Sequence, residues 1–391
     1  MTTEKYDVVV VGGGPAGSMA ARAAALKGAK TLLLERDPVI GTPVRCGEGV
    51  AVQNLSRFIE IDEKWVASRI EGVTIYAPDG TPVSGEITGQ IGVILERTLF
   101  DRRLSELAAE SGAQIITRAE GEGLIMDEEG VKGVIYRRFN RVYKVTCEMV
   151  IAADGVESRV GRWAGINTHI AAGDYQSAYQ MVLAGIDFDP RHCHFYVGNT
   201  IAPGGYIWVF PKGEKTANVG IGVEVKKSGS GVAYRLLTDF IRKRFGRPSI
   251  VGESAGGVPV ARPLKKPFRN GILLAGDAAR HCNPLTGGGI YTGMISGWQA
   301  GEVAAEAVAA GNRSERFLKR FLDRIENEIT IPHRRAYHIA RAVAQLTDES
   351  MNRTARELLS IPPEQRTVRK VFLTGLKENP KLIFDVMRYF I

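Results

Sequence analysis

The sequence predicts an α/β (α+β) chain, and three observations carry that prediction. A run of four valines enters a glycine-rich turn followed by an alanine-rich stretch. Residues 175–223 are rich in β-branched and aromatic side chains. Beyond about Tyr291 the pattern is helical to the end. At 391 residues there is room for two or three domains, or for one core with large insertions. With 44% hydrophobic and 24% charged residues the composition is ordinary for a globular protein.

Val8-Val9-Val10-Val11 suits a strand buried on both faces. It runs into Gly12-Gly13-Gly14-Pro15-Ala16-Gly17, which fits G-x-G-x-x-G at Gly12, Gly14 and Gly17. Residues 18–26 read as a helix, and 31–34 as a second apolar strand ending at Glu35. Each part has a physical task. Gly12 makes the tight turn, Gly14 lets backbone approach a pyrophosphate, and Gly17 lets helix pack on strand. The helix N-terminus offers unpaired N–H groups and a positive dipole end to phosphates. Glu35 stands where a carboxylate accepts hydrogen bonds from ribose hydroxyls. Strand, loop, helix, strand and acid at this spacing predict a Rossmann-type dinucleotide site.

Further along, a loop at 38–49 leads into mixed strands and a helix at 97–111, capped by Gly112. Residues 114–117, 123–127, 131–138 and 142–152 read as a strand, a β-ribbon and a return strand. After the strand-rich middle, 232–245 reads as a helix and 271–275 as a buried parallel-type strand. This order predicts a discontinuous nucleotide domain, 1–165 and 259–310. An inserted antiparallel β-sheet domain spans 166–258, and a helical region spans 311–391. Only one G-x-G-x-x-G is present, so no separate nicotinamide domain is expected.

Composition narrows the function classes. Cys46, Cys147, Cys193 and Cys282 are widely spaced without a C-x-x-C pair, which argues against an iron–sulfur cluster, structural zinc or a disulfide framework. His192 and His194 share one strand face but have no third ligand, so no metal site is expected. The net charge is +8, and residues 311–391 carry sixteen Lys or Arg against ten Asp or Glu. That excess suits a solvated helical face, an anionic membrane surface, an acidic protein donor or a phosphate-bearing substrate. No recognition motif for nucleic acid appears. No apolar run is long enough to span a bilayer, so a cytoplasmic chain, peripheral at the membrane surface, is expected.

Three further clusters specify the nucleotide. Val150-Ile151-Ala152-Ala153-Asp154-Gly155 is an apolar strand ending in Asp-Gly. Gly276-Asp277-Ala278-Ala279 ends another strand and is followed by Thr286-Gly287-Gly288-Gly289-Ile290. Glu96-Arg97 opens a helix. With these the chain resembles the para-hydroxybenzoate-hydroxylase-like FAD flavoproteins, whose fingerprints are GxGxxG, DG and GD. The resemblance implies FAD, with Asp277 on the ribityl chain, Gly289 and Ile290 at the flavin ring, and Arg97 near the phosphate–ribityl region. A helix beginning after Gly289 would direct its positive end at the flavin pyrimidine side and favour negative charge at N1 and O2 on reduction.

Pro43-Val44-Arg45-Cys46-Gly47-Glu48-Gly49 and Gly205-Tyr206-Ile207-Trp208-Val209-Phe210-Pro211-Lys212 resemble signatures of geranylgeranyl reductases, in particular their archaeal branch acting on digeranylgeranylglycerophospholipids. The similarity runs over most of the chain and is weakest after about Ser314. It implies FAD contacts at Ala16, Glu35, Cys46, Gly47, Gly49, Arg97, Gly121, Asp277, Gly289 and Ile290. Arg280 stands where hydroxylase relatives commonly have His, which counts against a hydroxylase.

The aromatic motif admits two readings, the packing of a half-buried strand and a wall of a long apolar pocket for a C20 chain at Tyr206, Trp208 and Phe210. Cys46 is either a small buried residue or a flavin-side group. Reducing an unactivated alkene needs hydride from the flavin and a proton, for which Cys46, Glu48 or ordered water are the candidates. Electrons would come from outside, from ferredoxin, a nicotinamide or a deazaflavin. An FAD-dependent aromatic monooxygenase and a membrane-surface electron-transfer flavoprotein are the competing readings.

Overall fold

The computed structural model describes residues 4–86 and 92–362. In chain order the strands and helices are β1 (Glu4–Val11), α1 (Pro15–Leu26), β2 (Thr31–Leu34), β3 (Gly49–Ala51), α2 (Val52–Leu55), β4 (Val66–Ile70), β5 (Gly72–Tyr76), β6 (Pro82–Glu86), β7 (Gly92–Leu95), α3 (Arg97–Glu110), β8 (Gln114–Ile116), β9 (Glu120–Asp127), β10 (Gly130–Arg138) and β11 (Arg141–Ala152). There follow α4 (Arg159–Trp163), β12 (Tyr175–Ala184), β13 (His192–Val197), β14 (Tyr206–Pro211), β15 (Thr216–Glu224), α5 (Val232–Phe245), β16 (Ser249–Pro259), β17 (Phe268–Arg269), β18 (Ile272–Leu274), α6 (Ile290–Ala309), α7 (Glu315–Leu318), α8 (Arg320–Ile325), α9 (Ile331–Val343) and α10 (Asp348–Leu359).

Two compact units share these elements. The first comprises residues 1–43, 97–170 and 259–334. Its sheet runs β17-β18-β11-β1-β2-β8, with the ribbon β9-β10 branching from β11. Pairings from β18 through β8 are parallel, so the strands are apolar on both faces. Val9, Leu32, Leu34, Val150, Ile272 and Leu274 fill one core on this sheet. Against it α1 and α6 pack unusually closely. A Cβ at Gly297 would stand 2.0 Å from Ala16 O, and one at Gly301 2.2 Å from Ala20 O. Glycines spaced by four on α6 therefore let the two backbones touch.

The second unit comprises residues 44–96, 171–258 and, among those described, 335–362. Its larger sheet is ordered β16-β12-β15-β14-β13-β5-β6; the run from β12 to β13 and the β5–β6 pair are antiparallel, and the β13–β5 pair is parallel. The smaller sheet is β3-β7-β4. One face of the large sheet is apolar: Leu183, Ile207, Val209, Val219, Ile221 and Val223 pack under Ala233, Leu237 and Ile241 of α5. Residues 44–96 thus group differently from the expected 1–165 segment. The reason is register, since His192–Tyr196 pair with Gly72–Tyr76. The expected helical region 311–391 is likewise divided, 311–334 with the first unit and 335–362 with the second, while 363–391 lie outside the described residues.

Candidate active site

The expected site residues fall into two groups, one in each unit. In the first, β1 delivers the chain into a turn with Gly12 at φ +105, where a Cβ would stand 2.3 Å from Ala153 O. Only glycine adopts that conformation at so close an approach. A Cβ at Gly17 would sit 1.8 Å from Gly12 O, whereas one at Gly14 would meet nothing within 4 Å. Gly14 is also the N-cap of α1, with Pro15 at the first helical position, and no side chain caps the helix's first N–H groups. Ala16 is buried and faces Gly276 and α6.

Glu35, at the end of β2, accepts the Gly13 N–H at 2.6 Å on Oε2 and the Asp37 N–H at 2.7 Å on Oε1. Its carboxylate therefore braces the glycine turn as well as standing beside it. Gly121 lies in β9, against the Val11 side chain.

Asp277 follows β18, and Gly289 caps α6 with no side-chain cap. A Cβ at Gly289 would stand 3.1 Å from Asp277 Oδ1. Among the described residues nothing donates a hydrogen bond to the Asp277 carboxylate. Burial pushes its pKa up to about 6, with the Arg97 charge pulling the other way. Arg97 in turn is gripped by Asp101, Nε to Oδ1 and Nη2 to Oδ2, each at 2.6 Å. Asp154 accepts the Val160 N–H on Oδ2 at 2.9 Å, while its buried Oδ1 has no partner among the described residues. Burial raises its pKa, opposed by that backbone hydrogen bond. Two carboxylates short of donors, an uncapped helix end and an open glycine turn suit a ligand carrying hydroxyls and phosphates.

In the second unit the two motifs of the sequence meet. Tyr206, Trp208 and Phe210 point away from the α5 core, and their half-buried rings occupy the opposite face of the sheet. The strand alternates as the packing reading requires, but Ile207 and Val209 do the packing. Phe195 joins the rings edge to face, with centroids 5.4 Å from Tyr206 and 5.3 Å from Phe210. Trp208 lies over Gly220, where a Cβ would be 2.1 Å from Cζ2, and donates through Nε1 to Gln180 Oε1 at 3.0 Å. Phe210 and Phe195 also pack on Ile70, Ile94 and Cys193.

The Cys46–Gly49 loop lies on these rings. A Cβ at Gly47 would stand 3.0 Å from Phe210 and 3.2 Å from Trp208 Nε1. Cys46 Sγ accepts the Glu48 N–H at 3.2 Å. Glu48 is buried with φ +75, and its Oε2 accepts from Lys212 Nζ at 2.8 Å and Asn218 Nδ2 at 2.5 Å. Sequence reasoning placed Lys212 in a motif and Phe195 in the aromatic, strand-rich segment without giving either a role, and passed over Gln180, Asn218 and Asp101. Only the alternation of 195 and of 218 with the neighbouring strands could have signalled any of them.

His192 and His194 are held within the unit, Nδ1 of the first 2.9 Å from Thr74 Oγ1 and Nε2 of the second 2.9 Å from Asp189 O. Among the described residues no helix is long and apolar enough to cross a membrane.

Comparison with known proteins follows the same lines. The family model of the geranylgeranyl reductase catalytic domain matches residues 174–258, and that of FAD dependent oxidoreductases matches residues 7–204. The digeranylgeranylglycerophospholipid reductase 1 of Methanococcoides burtonii is 40% identical over 390 residues, 99% of this chain and 96% of that protein. The chain belongs to the digeranylgeranylglycerophospholipid reductase family. The digeranylgeranylglycerophospholipid reductase of Methanosarcina mazei is 42% identical, covering 98% of this chain and 96% of the relative. A crystal structure from Thermoplasma acidophilum, described as geranylgeranyl bacteriochlorophyll reductase-like, has a TM-score of 0.93 at 35% identity over 99% of this chain and all of that one. As a member of this reductase family the chain is an FAD-dependent oxidoreductase, and the donor-poor Asp277 and open Gly14 turn fit that cofactor.

Proposed function

We propose that this chain saturates the isolated double bonds of geranylgeranyl chains carried on a glycerophospholipid. One observation carries the choice of substrate: Tyr206 and Trp208 form an aromatic face away from the α5 core, continued by Phe195 and by Phe210, which pack on Ile70, Ile94 and Cys193, with Trp208 laid on Gly220. A polyprenyl chain has no polar handle, so shape and apolar surface must bind it. FAD, once reduced, supplies the hydride. The chain's own residues orient the alkene and deliver a proton. Positive charge develops on the more substituted carbon, and aromatic ring faces favour such charge.

Of the candidate proton donors, Glu48 has one carboxylate oxygen already engaged by Lys212 and Asn218, which tie it into the loop's own support. We assign the acidic proton to Cys46. Gly12, Gly14, Gly17, Glu35, Arg97, Asp154, Asp277, Gly289 and Ile290 would hold the adenine dinucleotide, with Ala16, Gly121 and the Cys46–Gly49 loop as further contacts. Electrons come from an external donor, for which ferredoxin, a nicotinamide and a deazaflavin are the classes to compare. The net charge of +8 supports peripheral docking on an anionic membrane.

The test is chemical. The flavin-loaded enzyme is reduced with dithionite without oxygen, mixed with a geranylgeranyl-bearing glycerophospholipid, and product mass is followed. Two mass units gained per bond, with flavin reoxidation, are expected. A gain of sixteen units under air, with no two-unit product anaerobically, would overturn the proposal in favour of a monooxygenase. Docking is tested by sedimentation with anionic vesicles. Binding is expected at low salt and should fade as the Debye length falls to about 3 Å near 1 M. Equal binding to neutral vesicles at every salt concentration would rule the electrostatic contact out.

A further inference from the structure

Glu48 is a bulky side chain in a backbone conformation that favours glycine, with φ +75, and two glycines flank it. The structure compensates with a buried clamp. Lys212, at the end of β14, donates to Glu48 Oε2 at 2.8 Å and to Leu95 O at 2.7 Å, and pairs with Glu96 at 2.8 Å. Asn218, in β15 and almost wholly buried, donates to Glu48 Oε2 and to Gly47 O at 3.3 Å. Thus β14, β15 and the end of β7 all hold one turn. What that turn presents is the Glu48 N–H, directed at Cys46 Sγ.

We propose that Lys212, Asn218 and the Glu48 carboxylate are positioning residues, which keep the Glu48 N–H on the Cys46 sulfur and so set the acidity of that thiol. The inference rests on the assignment of the proton to Cys46. Bound, reduced FAD would supply a hydride for one alkene carbon; the chain's part is the Cys46 S–H bond, which breaks. The proton passes to the other carbon and the electron pair stays on sulfur. A backbone N–H donor stabilises the thiolate so formed. The clamp's charges are the Glu48 and Glu96 carboxylates, both paired with Lys212, with Arg45 next to Cys46 in the chain; the three paired groups leave one net negative charge.

Two substitutions separate positioning from a direct chemical role of the carboxylate. Glu48→Ala removes the clamp and leaves a residue that resists positive φ; Glu48→Gly removes the same carboxylate but adopts the turn freely. Lys212 keeps Glu96 in both. The readout is the pH profile of Cys46 alkylation by iodoacetamide in the flavin-loaded protein, with Cys46 resolved by peptide mass. No lipid is needed, so the result stands apart from failure of the substrate assignment.

Glu48→Ala and Lys212→Met should move the midpoint of the profile up by about one pH unit, a roughly tenfold loss of thiolate on the low-pH side. Glu48→Gly and Lys212→Arg should stay close to wild type. Retained flavin and an unchanged melting temperature in Glu48→Gly show that the fold survives. An unmoved midpoint in Glu48→Ala would overturn the inference, as would equal displacement in Glu48→Gly and Glu48→Ala.

Discussion

Glu35 in the first unit and Trp208 in the second show how single side chains shape their surroundings. Glu35 spends one lone pair on each of Gly13 and Asp37 and keeps others for a ligand. Hydrogen bonds to a charged group contribute about 1.5–3 kcal/mol each. Glu35→Ala should therefore lower FAD affinity at least tenfold and reduce the melting temperature of the flavin-free protein, whereas Glu35→Gln, which keeps one acceptor oxygen, should lie between. Flavin fluorescence titration and thermal denaturation check both, and full affinity in Glu35→Ala would remove it from the site. At Trp208 the sharper probe is its floor. A methyl at Gly220 meets the indole at 2.1 Å and must tilt it off the sheet. Gly220→Ala should raise the apparent KM for long prenyl chains much as Trp208→Ala does, with FAD content intact. An unchanged KM in both variants would exclude this face as the prenyl wall.

At the scale of elements, β1-α1-β2 was legible because each piece carries its own local signature: four valines, a Gly-Pro-Ala turn, an alanine run. Helices α3 and α5 and the parallel strand β18 were read for the same reason. The strand-rich segment before α3 was not placed, because what locates β5 is its pairing with β13 more than a hundred residues away. The site follows the same rule. Fingerprint residues are proposed from spacing, but the partners Lys212 and Asn218 meet Glu48 across 164 and 170 residues, and no local pattern announces them. The α1–α6 contact gives the element-scale prediction. Gly297→Ala places a carbon 2.0 Å from Ala16 O and forces the helices apart, whereas Gly293→Ala makes ordinary contact at 3.7 Å. Overpacking of this kind costs about 1–3 kcal/mol. The denaturant midpoint should fall, with loss of flavin, in the first variant and stay near wild type in the second; equal midpoints would show that the helices yield freely.

For the molecule as a whole, charge is distributed less freely than its sum suggests. Arg313, Arg320, Arg324, Arg341 and Arg356 in the C-terminal stretch are ion-paired with Glu129, Glu306, Glu224 and Asp79, so a docking surface must draw on other cations. Response to pH follows in part from the buried His281 and His333 and the half-buried Asp277 and Asp154 of the first unit. Burial holds the pKa of His281 down to about 3 and that of His333 to about 4, with the imidazole of His333 also acting on His281. Burial raises Asp277 to about 6. Between pH 4 and 6 the unfolded chain protonates both histidines and the folded protein neither, so each makes stability fall with falling pH. Asp277 acts oppositely, since it is protonated in the folded protein and ionised in the unfolded chain over that window. Asp154, whose pKa burial also raises, acts in the same sense as Asp277, so the two carboxylates offset part of what the histidines do. FAD bound through hydroxyls on an ionised Asp277, as proposed above, should remove one opposing contribution and steepen the slope. Replacing His281 with Leu should make the flavin-free protein less sensitive to acid, by up to one proton or about 1.4 kcal/mol per pH unit. Urea midpoints at pH 4.5, 5 and 6, with and without flavin, measure all three slopes, and a His281→Leu slope equal to wild type would show that these histidines do not govern the acid response.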